Sequence, residues 1–264
     1  MSASSDNKNC ASPPSRDSLA SVKGFVSSFE SMGAADGPGM RLVVFMQGCS
    51  LRCTYCHNPE TWNTKAGQHI TAHEILKRYK RNRAFYQEGG ITLSGGEPLL
   101  QSEFAAAIFA LAHASAPVIH TTLDTAGSCY NTHNEAMYHQ LLEHTDLVLL
   151  DIKHAEYEGY KKLTGASPQA TFAFADKLAQ LNVPTIIRQV MVEGITDTPQ
   201  QLTLLGKMMK RWPNVIGFEL LPYHTLGIHK YQELGITYPL KGMQAFDAAR
   251  IPQLNNIVLA AYKA

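Results

Sequence analysis

Three cysteines lie within eight residues of one another, with the spacing C-x3-C-x2-C at Cys49, Cys53 and Cys56. Thiolates are ligands of iron and zinc, so a cluster of this kind predicts a metal centre. Three cysteines can bind three irons of a cubane 4Fe–4S cluster and leave the fourth iron open to an exogenous ligand. The alternative is a zinc site of the three cysteines and His57, although structural zinc sites usually take their ligands from two separated pairs.

The other two cysteines lie far from this triplet in the sequence. Cys10 falls in an N-terminal segment rich in Ser, Asn and Pro, and Cys129 stands alone. A total of five cysteines is odd, which argues against a framework of disulfides, and the two that remain are too few for a second cluster. The chain is therefore expected to work in a reducing cytoplasm.

Size and composition restrict the class of protein. The chain has 264 residues, of which 45% are hydrophobic, and this is enough for one large α/β domain. Its formal net charge of +1 predicts neither a nucleic acid nor an anionic membrane surface as a partner. The longest apolar run, residues 104–112, is too short to cross a membrane. Residues 1–20 are predicted to be a disordered tail, and residues 21–264 a single domain.

Short apolar runs alternate with helical patterns from residue 41 onward. Six runs predict buried strands, at residues 41–47, 90–93, 118–123, 147–152, 185–192 and 215–221. Helix starts are indicated by a capping box of Thr71 and Glu74 and by Thr198 before Pro199. The alternation predicts an α/β protein with a parallel sheet of six β/α units, fewer than the eight of a closed barrel, and a doubly wound open sheet is the alternative. In either arrangement, functional groups meet at the carboxyl ends of the strands.

Glycines and a carboxylate follow the second predicted strand, at Gly95, Gly96 and Glu97. Glycine allows the backbone to approach a ligand closely, and a carboxylate can accept a hydrogen bond from an ammonium group. An ordinary turn before the next helix is the alternative. The neighbouring cysteine triplet favours the ligand-binding interpretation.

Charged side chains also stand at or within the later predicted strands. Asp124 and Asp151 lie at strand ends, where a bare carboxylate is unfavourable unless it is paired. Lys153 lies two residues beyond Asp151 and so faces the same side of a strand, which makes a local ion pair a rival to a ligand-binding role. Arg188 lies inside the apolar fifth strand and needs a partner, either Asp151, the carboxylate of a bound ligand or a structural ion pair.

The cysteine triplet, with Tyr55 directly before its last member, resembles the signature of the radical S-adenosylmethionine superfamily. Further segments are similar to the branch that activates glycyl radical enzymes such as pyruvate formate-lyase: ADGPG at 35–39, SGGEP at 94–98, LDTAG at 123–127, LLDIK at 149–153 and LLPYHTLGIHKY at 220–231. The resemblance runs from about residue 24 to the C-terminus. In this superfamily S-adenosylmethionine binds the open iron, and one electron from the cluster cleaves it to methionine and a 5′-deoxyadenosyl radical that abstracts a hydrogen atom.

The resemblance implies a partial, splayed TIM-like barrel of six β/α units that binds one 4Fe–4S cluster, S-adenosylmethionine and a monovalent cation. The implied substrate is the glycine loop of pyruvate formate-lyase, with a flavodoxin or ferredoxin as electron donor, and a monomer is expected. The alternatives are an activase of another glycyl radical enzyme, a radical enzyme for a small molecule and a structural zinc protein. Activases with additional clusters carry a cysteine-rich insertion, and residues 57–128 contain no cysteine.

The resemblance also assigns roles to individual residues. It implies that Tyr55 and His57 contact the adenine ring and that His224 binds the ribose hydroxyls. It further implies that the methionine amino group meets the segment Gly95–Glu97, with Gly96 the closest backbone contact.

Three more groups of residues receive roles in the same way. The S-adenosylmethionine pocket is expected to be lined by Asp151, Ile152 and Lys153, with Lys153 facing the methionine carboxylate. The ligands implied for the monovalent cation are Asp124, Thr125, Asp151 and the carbonyl of Leu149. The loop expected to seat the substrate peptide consists of Asp36, which can meet a basic residue, Gly37, Pro38 and Gly39.

Overall fold

The computed structural model describes residues 15–264. Cys10 and most of the predicted N-terminal tail therefore lie outside the described residues. A first helix, α1 (Arg16–Ser21), begins at Ser15, whose hydroxyl accepts a hydrogen bond from the backbone N–H of Ser18. Helical structure thus starts before residue 20, earlier than the predicted end of the tail.

An open sheet of eight strands forms the centre of the molecule, in the order β3-β1-β2-β4-β5-β6-β7-β8. The strands are β1 (Lys23–Gly33), β2 (Arg41–Met46), β3 (Gln68–Thr71), β4 (Gly90–Gly95), β5 (His120–Thr125), β6 (Leu147–Asp151), β7 (Thr185–Met191) and β8 (Val215–Pro222). The six strands from β2 to β8, without β3, pair in parallel and correspond to the six predicted strands. Within the described residues β3 and β8 are the two edges, so the structure is a partial α/β barrel.

Two antiparallel strands were not predicted. β1 pairs with β2 and with β3, so the sheet is mostly parallel rather than purely parallel. β1 alternates buried and partly exposed positions, and β3 is largely polar, whereas the prediction rested on continuous apolar runs. The missed strands are those that have one face in contact with solvent.

Helices connect the strands and cover the outer face of the sheet. Beyond α1 they are α2 (Ala72–Arg81), α3 (Ser102–His113), α4 (Glu135–Leu142), α5 (Tyr157–Thr164), α6 (Gln169–Gln180), α7 (Pro199–Met209), α8 (Ile228–Glu233) and α9 (Ile251–Lys263). The capping box of Thr71 and Glu74 and the cap at Thr198 are confirmed. Among the helices of residues 15–264, none combines the length and apolar character that spanning a bilayer requires.

The two faces of the sheet differ in polarity, because side chains alternate along each strand. Leu93, Leu123 and Leu150 face the helices and belong to the hydrophobic core. The opposite face, which is the inside of the partial barrel, carries Thr92 opposite Thr122 and, one pair further along, Ser94 bonded to Asp124. Polar side chains thus line the interior toward the carboxyl ends of the strands.

Candidate functional site

The three cysteines lie in one loop that directly follows β2. The loop is held by backbone hydrogen bonds, from Cys56 to Cys53 at 3.0 Å and from Arg52 and Thr54 to the end of α5 at 2.9 Å each. Burial is the main reason that the pKa values of Cys49 and Cys53 rise to about 12, and burial also raises the pKa of Cys56. Thiols of this kind lose their protons when a metal supplies positive charge.

His57 is the fourth ligand that the alternative zinc site requires. Its ring packs against that of His224, with ring centroids 4.9 Å apart. The segment after β8 also holds the cysteine loop, since the Tyr231 hydroxyl donates to the carbonyl of Cys56 at 2.8 Å. The position of His57 therefore does not support a zinc site of three cysteines and one histidine.

Tyr55 lies between the cysteines with its ring in the core, where the residue is 5% exposed. The ammonium of Lys153 lies 5.8 Å from the centre of this ring. The ring edge of Tyr55 is thus packed inside the protein, unlike that of His57. Only the backbone of Tyr55 remains for the predicted contact with adenine.

The segment Gly95–Glu97 packs directly on the cysteine loop. The N–H of Gly96 donates to the carbonyl of Met46 at 3.0 Å, and that of Glu97 to the carbonyl of Gly48 at 2.7 Å. A Cβ atom at Gly96 would lie 2.1 Å from the Gly48 oxygen, so glycine is required for this approach. The close packing of β4 against the loop is sufficient to explain the two glycines.

The Glu97 carboxylate is buried among hydrogen-bond donors of the protein. It is 1% exposed and accepts hydrogen bonds from Thr125, Leu99, Ala126 and Ser128. Donors of the protein itself thus contact both oxygens, and the contact of this segment with a ligand ammonium stays a prediction. Glu97 holds the turn after β5.

Two carboxylates meet at the ends of β5 and β6. Asp124 accepts from the Ser94 hydroxyl at 2.5 Å, and Asp151 contacts the ammonium of Lys153 at 2.6 Å. Burial and the charge of Asp151 raise the pKa of Asp124 to about 6. Burial is the largest single influence and acts to lower the pKa of Lys153, but the charges of Asp151, Tyr55 and Cys53 together outweigh it, so the net shift is upward. The Asp151–Lys153 ion pair that the sequence suggested is present.

The other residues implied as cation ligands lie on the same two strands. Asp124 stands opposite Leu149 and Thr125 opposite Leu150 in the β5–β6 pairing. The Thr125 hydroxyl donates to Glu97 and accepts from the N–H of Gly127 at 2.8 Å. Ile152, which follows Asp151, is fully buried.

Arg188 on β7 is buried and forms a structural ion pair. Its guanidinium contacts Glu219 on β8 at 2.9 Å and Asp124 at 3.7 Å, and it donates to the carbonyl of Ala35 at 2.6 Å. Asp151, one of the expected partners, stands opposite Arg188 in the β6–β7 pairing but accepts no hydrogen bond from it among the described residues. Of the alternatives, the structural pair is the one observed, because Glu219 faces Arg188 in the β7–β8 register.

The loop of residues 36–39 lies at the inner face of the partial barrel, and Arg41 donates hydrogen bonds that hold it there. Arg41 is 0% exposed and donates to the carbonyl of Pro38 at 2.8 Å and to the Thr92 hydroxyl at 2.6 Å. Thr92 in turn donates to the carbonyl of Asp36 at 2.7 Å. Sequence reasoning missed Arg41, because an arginine at the start of a strand resembles a solvated strand end. Gly37 and Gly39 have positive φ angles of 122° and 65°.

Comparison with known proteins identifies the class to which this site belongs. The profile of the Radical SAM superfamily matches residues 43–204. The crystal structure of Streptococcus suis SuiB bound to its precursor peptide SuiA superimposes with a TM-score of 0.58 at 18% sequence identity, covering 87% of this chain and 46% of that one. The similarity to SuiB shows a shared fold and nothing more. The partial barrel and the three-cysteine loop are thus those of a Radical SAM protein.

Two relatives define the family within this class. The pyruvate formate-lyase-activating enzyme of Clostridium pasteurianum is 45% identical over 235 residues, which are 88% of this chain and 96% of the relative. That of Listeria monocytogenes is 41% identical over 250 residues, 93% of this chain and 100% of the relative. The chain belongs to the family of pyruvate formate-lyase-activating enzymes, within the Radical SAM superfamily.

Membership of this superfamily implies a 4Fe–4S cluster and S-adenosylmethionine as cofactors. The residues present fit both groups. Three thiols in one loop are the donors that a cubane with one open iron requires. Beside them, the carboxylates of Asp124 and Asp151 and the ammonium of Lys153 offer the charges that would bind the amino and carboxylate groups of a methionine.

Proposed function

We propose that this chain activates a pyruvate formate-lyase by removing one hydrogen atom from the α carbon of a glycine in that protein. The observation that carries the proposal is the three-cysteine loop beside the partly buried carboxylates of Asp124 and Asp151 and the ammonium of Lys153, in a chain 45% identical to a pyruvate formate-lyase-activating enzyme over 88% of its length. When bound, the cluster and S-adenosylmethionine supply the electron and the 5′-deoxyadenosyl radical that take the hydrogen.

The protein's own part in this reaction is to bind the cluster, to orient S-adenosylmethionine and to exclude water. Cys49, Cys53 and Cys56 bind the cluster, and the loop that bears them is fixed by α5 and by Tyr231. Lys153 lies beside the cysteines, 15% exposed, where its charge suits the methionine carboxylate. No side chain is needed as an acid or base, because the step transfers a hydrogen atom rather than a proton.

We also propose a monovalent cation beside the S-adenosylmethionine carboxylate, with ligands from Asp124, Thr125, Asp151 and the carbonyl of Leu149. Two carboxylates on neighbouring strands in a poorly hydrated site repel each other, and a bound cation relieves that repulsion. The register of β5 and β6 supports this grouping, since Asp124 stands opposite Leu149.

The substrate peptide is proposed to lie along the loop of residues 36–39, which enters the polar interior of the barrel and leaves the Asp36 carboxylate half-buried. Burial raises the pKa of this carboxyl, against the charges of Arg188 and Arg41. A basic residue of the substrate would favour its ionised form. We further propose a flavodoxin or ferredoxin as electron donor, and a monomer that works in the cytoplasm.

Anaerobic reconstitution with iron and sulfide tests the proposal. The protein is expected to gain an absorbance that dithionite bleaches, to release 5′-deoxyadenosine from S-adenosylmethionine, and to produce a glycyl doublet in the electron paramagnetic resonance spectrum of pyruvate formate-lyase. Cys53→Ala should abolish all three signals, while Cys129→Ala is the matched control and should retain them. A colourless protein that binds one zinc ion and releases no 5′-deoxyadenosine would contradict the proposal.

A further inference from the structure

Glu97 is a buried carboxylate beside the cysteine loop, and both of its oxygens accept hydrogen bonds from the protein itself. Its backbone N–H donates to the carbonyl of Gly48, the residue directly before Cys49, at 2.7 Å. Its side chain is 1% exposed. A carboxylate in such a place is unfavourable unless hydrogen-bond donors surround it. Its position next to residues that bind a redox centre therefore requires a physical reason.

The donors around Glu97 fit its ionised form. One carboxylate oxygen accepts from the Thr125 hydroxyl at 2.5 Å and from the N–H of Leu99 at 3.1 Å. The other accepts from the N–H of Ala126 at 3.2 Å and from the N–H and hydroxyl of Ser128 at 3.3 Å and 3.2 Å. Three of these five contacts come from backbone N–H groups, which can only donate. Burial raises the pKa of Glu97, and these hydrogen bonds oppose that effect without reversing it, so the net shift is upward.

The same carboxylate is connected to the cysteine loop through two hydroxyl groups. The Ser128 hydroxyl lies 3.0 Å from the hydroxyl of Ser50, the residue directly after Cys49. The thiol of Cys129 lies 3.3 Å from the Ser50 hydroxyl. Two hydroxyl contacts thus connect the Glu97 carboxylate to Ser50, the residue next to the first cluster ligand.

We propose that Glu97 is a positioning residue that also lowers the reduction potential of the cluster bound by the three cysteines. Reduction adds one negative charge to the cluster, and a fixed negative charge across a poorly hydrated interior disfavours that state. A cluster of lower potential is a stronger reductant, which the reductive cleavage of S-adenosylmethionine demands. The inference rests on the proposed function, because it takes the cluster as bound.

A redox titration of the reconstituted protein, followed by electron paramagnetic resonance, tests this role. Glu97→Gln keeps the shape of the side chain and removes its charge. We expect the ratio of reduced to oxidised cluster at a fixed potential to rise about tenfold, an upward shift of about 59 mV for a one-electron couple. Ser128→Ala is the matched control, since it removes a hydroxyl contact to the carboxylate but no charge, and it should change the ratio by less than about threefold. An unchanged potential in Glu97→Gln with an intact cluster would overturn the inference.

A second pair of variants serves if Glu97→Gln does not fold or takes up no cluster. Cys129→Lys introduces a positive charge next to Ser128 and Ser50, which connect Glu97 to the cysteine loop. Cys129→Met introduces a neutral side chain of similar length. The lysine variant should have the higher potential, again by about a tenfold change in the ratio, and equal potentials in the two variants would overturn the inference. The wild-type protein could bind a cluster and cleave S-adenosylmethionine while its reduction potential equals that of all these variants. That result would overturn the inference and leave the proposed function intact. A wild-type protein without a cluster would contradict both.

Discussion

The substitution Arg41→Met removes a buried cation that ties the loop of residues 36–39 to the sheet. Arg41 is 0% exposed, and its guanidinium donates to the carbonyl of Pro38, the Thr92 hydroxyl and the carbonyl of Ile91 at 2.6–3.0 Å. Methionine has a similar length and an apolar end, so it fills the space but supplies no donor. The change therefore tests whether these hydrogen bonds hold the loop.

Two opposing contributions set the size of the effect. Burial is the main reason that the pKa of Arg41 falls to about 10, and this net shift corresponds to about 3 kcal/mol against the charged side chain, which methionine does not bear. Against this, the carbonyl oxygens of Pro38, Ile91 and His120 lose their buried donor, and each unpaired carbonyl costs about 1–3 kcal/mol. The hydroxyl of Thr92 loses a partner as well. The difference between this loss and the relief spans about 0–6 kcal/mol, and we expect the free energy of unfolding to fall by about 3 kcal/mol, the middle of that range.

Urea unfolding of the reconstituted protein under anaerobic conditions, followed by tryptophan fluorescence, measures this change. Arg81→Met is the matched control on an exposed part of α2 and should alter the free energy of unfolding by less than about 0.5 kcal/mol. In activation assays, Arg41→Met should also raise the KM for the protein substrate while leaving the cleavage of S-adenosylmethionine without substrate unchanged. If Arg41→Met is as stable as Arg81→Met, the assigned role of Arg41 is wrong.

Three further predictions address the glycine loop, the lysine and the cation. Gly39→Ala should lower the free energy of unfolding by about 2–4 kcal/mol, because φ is +65° and the new Cβ would lie 2.4 Å from a backbone oxygen. The control Gly235→Ala has a φ of +66° but no atom within 4 Å of the new Cβ, and it should cost only about 1 kcal/mol. Equal losses of the two variants in urea unfolding would contradict the steric argument. Lys153→Met should weaken S-adenosylmethionine binding at least about tenfold in equilibrium titration, since it leaves Asp151 without its partner at 2.6 Å; unchanged affinity would refute the role of Lys153. Replacing sodium and potassium by choline should weaken that binding about tenfold in wild type but not in Asp124→Asn, and the same dependence in both would count against the cation site.

The six parallel strands could be predicted because each begins in or contains an apolar run. Most of them are buried on both faces, but β8 is an edge strand in which only Leu220 is buried. β1 and β3 could not be found in this way, since β1 alternates in burial and β3 is mostly polar. The helix starts with clear caps, such as Thr71 with Glu74, were also predictable, because a cap is decided by residues close in sequence. Short α5 and α8 carry no such signal and were missed.

The candidate site was predictable in its location but not in its internal contacts. Strand-end reasoning placed Asp124 and Asp151 at one edge of the sheet, and a period of two paired Asp151 with Lys153. Apart from Leu99 and Pro38, which are close in sequence, the partners of Glu97 and Arg41 lie 28 to 79 positions away in the chain, and only the fold brings them together. A charged residue within an apolar run predicts that the side chain has a partner, but the sequence alone does not identify that partner.

The central claim is that this chain transfers a hydrogen atom from a glycine of pyruvate formate-lyase to the 5′ carbon of S-adenosylmethionine. Pyruvate formate-lyase with deuterium on the α carbon of its glycines, incubated anaerobically with the reduced protein and S-adenosylmethionine, tests it most directly. Mass spectrometry should find deuterium in the 5′-deoxyadenosine, in proportion to the glycyl radical counted by electron paramagnetic resonance. Unlabelled 5′-deoxyadenosine, formed without a glycyl radical, would contradict the account.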